Sequence, residues 1–216
     1  PECAAGTAAG AMASLLISLR YPAERLESIL LETNFRDFTT ESRPLDFSDR
    51  YGWYTVRPLQ QWLRERVVEA SDYLTEAPAD GLSGSETFAD FAAMGCREIK
   101  VFATDLNTRS VAEFSHAKTP QVGVVDAVTA SLSIPAFFQS FQFPDSNPND
   151  HIYVDGGALL NFPIMAFDPP RGKVNPETLG FAFEEQDSFG TVSDLGFGTF
   201  RLWAEHLYET VKRMQT

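Results

Sequence analysis

The sequence predicts an α/β domain in which short strands alternate with helices around a glycine-framed turn. Three observations lead to this prediction. Residues 6–10, Gly-Thr-Ala-Ala-Gly, have the spacing of a sharp turn that joins a strand to a helix. Residues 99–104 have the β-branched and aromatic composition of a strand. Asp155 ends another such run at Gly156 and Gly157, and strand ends beside glycine turns are where α/β proteins assemble their sites.

Length and charge exclude several classes of protein. A chain of 216 residues suits one domain with a full hydrophobic core, and we predict a single domain over residues 1–216. The 17 basic and 30 acidic residues give a formal net charge of −13, whose field opposes nonspecific binding to nucleic acid. Two cysteines, Cys3 and Cys96, are too few for a disulfide framework, and neither has metal-ligand spacing. We therefore expect no nucleic acid partner, no metal and no cofactor.

The elements follow from hydrophobic periodicity and helix capping signals. Residues 8–20 form an uncharged run up to Leu19, which predicts a helix buried on most sides. Glu2 stands where a signal peptide has basic residues, which argues against a targeting segment. Thr87 and Asp90 have the spacing of a capping box. The further predicted helices cover residues 22–32, with Leu30 on the apolar face, and residues 58–70, 87–94, 124–131 and 199–214. Residues 110–114 are predicted to form a strand in a hairpin with residues 99–104, residues 178–183 another strand, and residues 190–198 a loop.

The turn at residues 6–10 admits more than one interpretation. In a Gly-x-Ser-x-Gly elbow the central side chain stands in a strained turn, and very small neighbours let the backbone pass. Gly6 and Gly10 supply this frame, whereas Ala8 occupies the place of the nucleophile. The same pattern is also typical of a tightly packed helix start. A nucleotide-phosphate loop ranks last, because the Walker lysine and the dinucleotide spacing are both absent.

Taken together, the turn and the Asp155 segment resemble the patatin-like phospholipases, in particular the bacterial members. Residues 6–11 are similar to that family's Gly-Thr-Ser-Ala-Gly-Ala, with alanine in place of serine. Residues 155–163 are similar to its Asp-Gly-Gly segment and the Asn-x-Pro that follows. Residues 103–108 and 130–135 resemble the family as well. The resemblance covers roughly residues 3–183, and the order of the motifs makes it more specific than any one of them.

The resemblance implies a three-layer α/β/α fold with a central mixed sheet and a Ser-Asp dyad. A serine at position 8 would be the nucleophile and Asp155 the general base. The Ala9 N–H would help to bind the oxyanion, and Gly156 and Gly157 would complete the Asp-Gly-Gly motif. We expect the family's N-terminal strand and Gly-rich oxyanion loop to be missing from this chain. The implied substrates are phospholipids or other acyl lipids, with transient contact to a membrane surface and no cofactor.

Ala8 has two explanations, because a methyl group cannot attack an ester. An engineered Ser→Ala change would leave the elbow intact, whereas a natural pseudoenzyme would bind lipid or a partner without turnover. Alanine is the usual substitution for deleting a hydroxyl, and the retained Asp155-Gly156-Gly157 has little catalytic use in a pseudoenzyme. We therefore favour the engineered change.

The remaining polar residues do not suggest a classical triad. His116, His151 and His206 are each expected to be surface or loop residues. Asp105 is expected to form a turn by bonding the nearby backbone. Head-group specificity, oligomeric state and compartment are not specified by the sequence. For the compartment, the resemblance suggests the cytoplasm of a bacterium or secretion from it as an effector.

Overall fold

The computed structural model describes residues 1–43, 50–170 and 172–182. The predicted loop at 190–198 and the predicted helix at 199–214 lie outside these residues. The strands are β1 (Cys3–Thr7), β2 (Gly52–Tyr54), β3 (Glu98–Asp105), β4 (Ser110–Ser115), β5 (Ala136–Phe138) and β6 (Tyr153–Asp155). The α-helices are α1 (Ala9–Ser18), α2 (Ala23–Glu32), α3 (Arg57–Glu69), α4 (Phe88–Ala93) and α5 (Val124–Leu132).

Strand β3 is the centre of a mixed sheet that has four strands among the described residues. Strand β1 runs parallel to it, with Cys3 paired to Glu98 and Thr7 paired to Phe102. Strand β4 returns antiparallel along the other side of β3, as the predicted hairpin requires. Strand β6 is also antiparallel to β3, and Asp155 is its last residue. Strands β2 and β5 form a separate parallel pair.

Helices flank the sheet, and their apolar faces make one continuous core. Helix α1 packs on β1 and β3 through fully buried side chains such as Leu15, which agrees with its lack of charge. Helix α5 packs on β3, β6 and α1, and α3 packs on α5. The buried face of α3 is formed by residues at helical spacing, namely Leu59, Leu63 and Val67. The predicted α/β architecture with a central mixed sheet is therefore confirmed.

Most predicted elements are present, with shifts of a residue or two at their ends. The capping box of α4 is complete, because the Thr87 side chain accepts the Asp90 N–H while the Asp90 side chain accepts the Thr87 N–H. Leu30, predicted on the apolar face of α2, is exposed by 48%.

The strand predicted at 178–183 is wrong over its described part, since residues 178–182 adopt no regular structure. Alternating apolar residues gave the segment strand character, but Leu179 and Phe181 are exposed. Such residues favour a strand only when a neighbouring strand pairs with them and their side chains are half-buried.

Candidate active site

The turn between β1 and α1 holds Ala8 in a conformation that L-residues rarely adopt. Its φ is 51° and its ψ is −122°, so the backbone reverses direction within one residue. The Ala8 carbonyl accepts the Ala11 N–H at 2.9 Å and the Met12 N–H at 3.2 Å, which starts helix α1 directly after the turn. Residues 6–10 therefore form a strained strand-to-helix elbow, with position 8 at its apex.

The two glycines of the elbow play different roles. A side chain on Gly6 would overlap the backbone of Gly10 and Ala11, so only glycine lets β1 pass this close to α1. Within the part of the chain that the structure describes, a Cβ on Gly10 would meet nothing within 4 Å. The expected steric frame is therefore supplied by Gly6 and not by Gly10.

Asp155 is buried at the end of β6, with 2% of its surface exposed. Its N–H donates to the Ser133 carbonyl at 2.9 Å, and its carbonyl accepts the Thr104 hydroxyl at 2.9 Å. The Oδ1 atom accepts the Gly157 N–H at 2.8 Å, which starts the turn of residues 156–158. These bonds fix both the backbone and the carboxylate of Asp155.

The elbow and Asp155 meet because β1 and β6 share one edge of β3. Thr7 at the end of β1 pairs with Phe102, and Asp155 at the end of β6 pairs with Ala103. Phe102 and Ala103 are consecutive, so their Cα atoms lie about 3.8 Å apart. The two strands therefore approach each other end to end, and their terminal residues pair with adjacent residues of β3.

Gly156 closes this junction. A Cβ on Gly156 would overlap the Phe102 carbonyl and would lie 2.8 Å from Cγ2 of Thr7. Gly157 is also buried, and its N–H is the donor to Asp155. The glycines after Asp155 thus allow the backbone to turn against the end of β1.

A hydroxyl from helix α5 reaches the elbow, a contact between distant segments that the local sequence does not predict. The Ala8 N–H donates to Oγ of Ser131 at 2.9 Å, and that hydroxyl donates to the Phe102 carbonyl at 2.6 Å. Ser131 is fully buried. Its signal in the sequence was its place in residues 130–135, one of the segments that resemble the family.

Ala9 is the first residue of α1 and is exposed. The N–H groups of a helix's first turn have no intrahelical acceptor, and they form the positive end of the helix dipole. The Ala8 N–H is bonded to Ser131, and the Ala9 N–H is the next amide along the elbow.

A histidine-carboxylate pair lies near the start of β6. Nδ1 of His151 is 2.7 Å from Oδ2 of Asp105, while Oδ1 of Asp105 accepts the N–H groups of Asn107 and Thr108. The expected turn role of Asp105 is confirmed. His151 lies in a loop, as expected, and is partly buried against Asp105. Burial raises the pKa of Asp105, but the bonds from His151, Thr108 and Asn107 outweigh it, so this pKa lies below its ordinary value.

The chain beyond the Asp-Gly-Gly turn folds back beside the elbow and exposes apolar side chains. The Thr7 hydroxyl donates to the Leu160 carbonyl at 3.0 Å, and Lys100 donates to the Ala166 carbonyl at 2.8 Å. In the segment that carries these two hydrogen bonds, the large hydrophobic residues Leu159, Phe162 and Met165 are exposed, Met165 by 72%. We refer to these three residues as the apolar rim.

The aromatic cluster after α5 fills the core. Phe143 packs edge-on against Tyr153 and Phe141, and Phe114 lies beside it. Phe138, Phe141 and Phe143 are buried, so these rings support β6 from within the domain.

Two classes of feature are absent over residues 1–43, 50–170 and 172–182. None of the helices there is long and apolar enough to cross a bilayer. Those residues also contain no group of three or more His, Cys, Asp or Glu side chains that could hold a metal ion.

The fold and the paired strand ends define an α/β protein with an elbow at position 8 and a buried carboxylate beside it. The family Patatin, patatin-like phospholipase, matches residues 1–168 of the chain. The chain therefore belongs to the patatin-like phospholipases, whose members are in general lipid acyl hydrolases.

The proteins similar to the chain include a viral protein and a bacterial protein. Uncharacterized protein R571 of Acanthamoeba polyphaga mimivirus is 23% identical over 180 residues, which are 82% of this chain and 53% of that protein. VipD from Legionella pneumophila matches in structure with a TM-score of 0.47 and 13% identity, over 71% of this chain and 40% of VipD. The chain thus spans about half the length of the curated relative it matches.

Proposed function

We propose that this domain is the catalytic scaffold of a phospholipid or other acyl-lipid hydrolase that uses a Ser-Asp dyad, with its nucleophile position occupied by Ala8. One observation carries the proposal. The strand that leads into the strained elbow at Ala8 and the strand that ends at buried Asp155 pair with consecutive residues of β3 at their ends. Membership of the patatin-like phospholipases supports the substrate class.

With serine at position 8, the reaction runs in two steps. The hydroxyl oxygen attacks the acyl carbonyl while its proton passes to the Asp155 carboxylate, and the Ala9 N–H donates to the oxyanion. The carbonyl re-forms as the ester bond breaks, the proton passes to the leaving alcohol, and an acyl-enzyme remains. Water then attacks the acyl-enzyme and gives its proton to Asp155. The bond between the acyl carbon and the serine oxygen breaks, Asp155 returns the proton to that oxygen, and the fatty acid is released.

The methyl side chain of Ala8 has no lone pair with which to attack an ester. We therefore propose that the chain with Ala8 does not hydrolyse esters by this route. An engineered loss of the hydroxyl remains our preferred origin for Ala8. The buried carboxylate of Asp155 persists next to the elbow, and this is a feature that a binding module does not need.

Fatty acid release from a phospholipid and from a short soluble acyl ester tests the proposal. We expect no release by the Ala8 chain, release by Ala8→Ser, and loss of about 10²- to 10⁴-fold when Asp155→Asn is added. Asp80→Asn, which changes an exposed loop carboxylate, is the matched control and should leave the rate unchanged. If folded Ala8→Ser binds phospholipid vesicles and releases nothing, the domain is a natural lipid-binding pseudoenzyme.

The apolar rim is proposed as the surface that meets the lipid. Leu159, Phe162 and Met165 follow the Asp-Gly-Gly turn directly and lie beside the Thr7–Leu160 bond at the elbow. Contact between acyl chains and an exposed apolar surface next to a lipid-cleaving site is favourable, because it removes that surface from water.

A further inference from the structure

We infer that Ser131 is a positioning residue that holds the nucleophile position in register with Asp155. The inference deepens the proposed function and rests on it for its catalytic consequence. It starts from the two hydrogen bonds of one buried hydroxyl, which accepts the Ala8 N–H and donates to the Phe102 carbonyl.

The Ala8 N–H needs such a partner because of the backbone geometry around it. With φ at 51° and ψ at −122°, Ala8 follows the last residue of β1 and precedes the first residue of α1. Its carbonyl accepts the first N–H groups of α1, whereas its own N–H bonds outside both elements. An unsatisfied amide in this setting would let the strained turn relax towards a commoner conformation. The Ser131 hydroxyl supplies the acceptor from a separate element, helix α5.

The second bond connects the elbow to the carboxylate side of the site. The Phe102 carbonyl accepts a hydrogen bond from the Ser131 hydroxyl. The same carbonyl lies against Gly156, the residue directly after Asp155. One hydroxyl therefore joins the elbow to the β3 peptide over which the Asp-Gly-Gly turn packs.

The end of helix α5 also holds Asp155 itself. Two residues beyond Ser131, the Ser133 carbonyl accepts the Asp155 N–H at 2.9 Å. The same helix end thus contacts both members of the proposed dyad, the elbow by a side chain and β6 by a backbone group. A shift of α5 would move both partners together, whereas loss of the Ser131 hydroxyl would free the elbow alone.

The chain provides a matched control next to Ser131. Ser133 is also fully buried, but its hydroxyl donates to the Thr129 carbonyl within the same segment at 2.9 Å. Ser133→Ala therefore removes a buried hydroxyl of the same size and keeps the backbone bond to Asp155. A purely structural effect of losing a buried hydroxyl should be similar in the two variants.

The first measurement uses the full chain with Ala8 in place and needs no activity. Hydrogen exchange of the Ala8 amide, followed by NMR, should become about 10-fold faster in Ser131→Ala and stay unchanged in Ser133→Ala. Equal exchange in the parent and in Ser131→Ala would overturn the inference. Ser131→Cys retains most of the volume with a weaker hydrogen-bonding group, and it takes the place of Ser131→Ala if that variant does not fold.

The second measurement adds the same changes to Ala8→Ser and uses a soluble acyl ester. Ser131→Ala should lower kcat by about 10- to 100-fold with KM within about 2-fold, because misplacing a reacting group affects turnover more than binding. Ser133→Ala should change kcat by less than about 3-fold. Equal losses in both variants would contradict a positioning role. If Ala8→Ser is inert while Ala8 exchange still responds to Ser131→Ala alone, the proposed function fails and the positioning of the elbow stands.

Discussion

Thr7 and Asp155 are the last residues of two strands that meet end to end along one edge of β3. Thr7 pairs with Phe102 and Asp155 with the next residue, Ala103. Because β1 is parallel to β3 and β6 is antiparallel to it, both chains turn away from the sheet at the same point. One turn carries position 8 and the other begins with the two glycines after Asp155, so the predicted catalytic positions meet where the two strands end.

Replacing Ala8 with glycine should relieve the strain of the elbow. Holding a residue other than glycine at a positive φ outside the common regions costs about 1–3 kcal/mol of stability. Glycine in place of alanine costs roughly 0.5–1 kcal/mol, because the unfolded chain then has more conformational freedom to lose. We expect Ala8→Gly to be neutral or to stabilise the domain by up to about 2 kcal/mol in urea unfolding.

Ala13→Gly is the control for this substitution. Ala13 is an exposed residue of helix α1, where the same change should destabilise by about 1 kcal/mol. Equal destabilisation by both changes would show that Ala8 is not strained in solution.

The two elbow glycines should respond differently to alanine. Gly6→Ala forces a Cβ into the backbone of α1, and we expect a loss of about 3 kcal/mol or more in urea unfolding. Gly10→Ala adds a methyl group in open space within helix α1 and should be neutral or stabilising by up to about 1 kcal/mol. Similar losses at both positions would contradict the asymmetric frame described above.

The Asp105–His151 pair should make stability depend on pH. Because bonds from His151, Thr108 and Asn107 outweigh burial and hold the pKa of Asp105 below its ordinary value, folding favours the ionised carboxylate. That contribution is fully present above the unfolded pKa of about 3.9 and is lost as pH falls through the lower folded-state pKa.

Asp105→Asn tests this dependence. It should reduce the free energy of unfolding by about 1–3 kcal/mol at pH 7, and the difference from the parent should shrink by pH 3. Urea unfolding at the two pH values measures it, with Asp80→Asn as the exposed control. A difference that is the same at both pH values would assign the loss to packing instead of charge.

The apolar rim should matter for lipid assemblies and not for soluble substrate. In the Ala8→Ser background, Met165→Glu should weaken turnover of phospholipid vesicles by about 10-fold, the equivalent of losing one buried hydrophobic side chain. Hydrolysis of a short soluble ester should not change. Leu31→Glu is the control, because Leu31 is another exposed aliphatic residue. It lies on helix α2, and the Arg25–Glu69 ion pair joins that helix to α3. An equal loss of vesicle turnover from both changes would contradict the proposal that the apolar rim contacts the lipid.

Local patterns in the sequence were enough to predict most helices and the β3–β4 hairpin. The uncharged run after Gly6, the Thr87–Asp90 capping box and the turn at Asp105 each carry their information within a few residues. The motif resemblance likewise identified the family, because Gly6–Gly10 and Asp155–Gly157 are short and specific.

Contacts between distant segments could not be predicted in this way. The register that brings Thr7 and Asp155 to neighbouring β3 residues depends on strand pairing, and Ser131 reaches Ala8 across 123 positions of the chain. The strand predicted at 178–183, which is wrong over residues 178–182, has the same origin. Residues with high β propensity form a strand only where a partner strand and a packing surface exist. His151 and Asp105 are 46 positions apart, so nothing in their local sequence indicated that they pair.

The most direct test of the dyad is covalent labelling of the nucleophile position, because it needs no knowledge of the natural head group. A fluorophosphonate probe reacts with an activated serine, and mass spectrometry of the intact chain and its peptides locates the adduct. We predict labelling at position 8 in Ala8→Ser, labelling reduced by at least about 100-fold when Asp155→Asn is added, and none in the Ala8 chain. A folded Ala8→Ser chain that is not labelled at position 8, or is labelled equally with Asp155→Asn, would contradict the account.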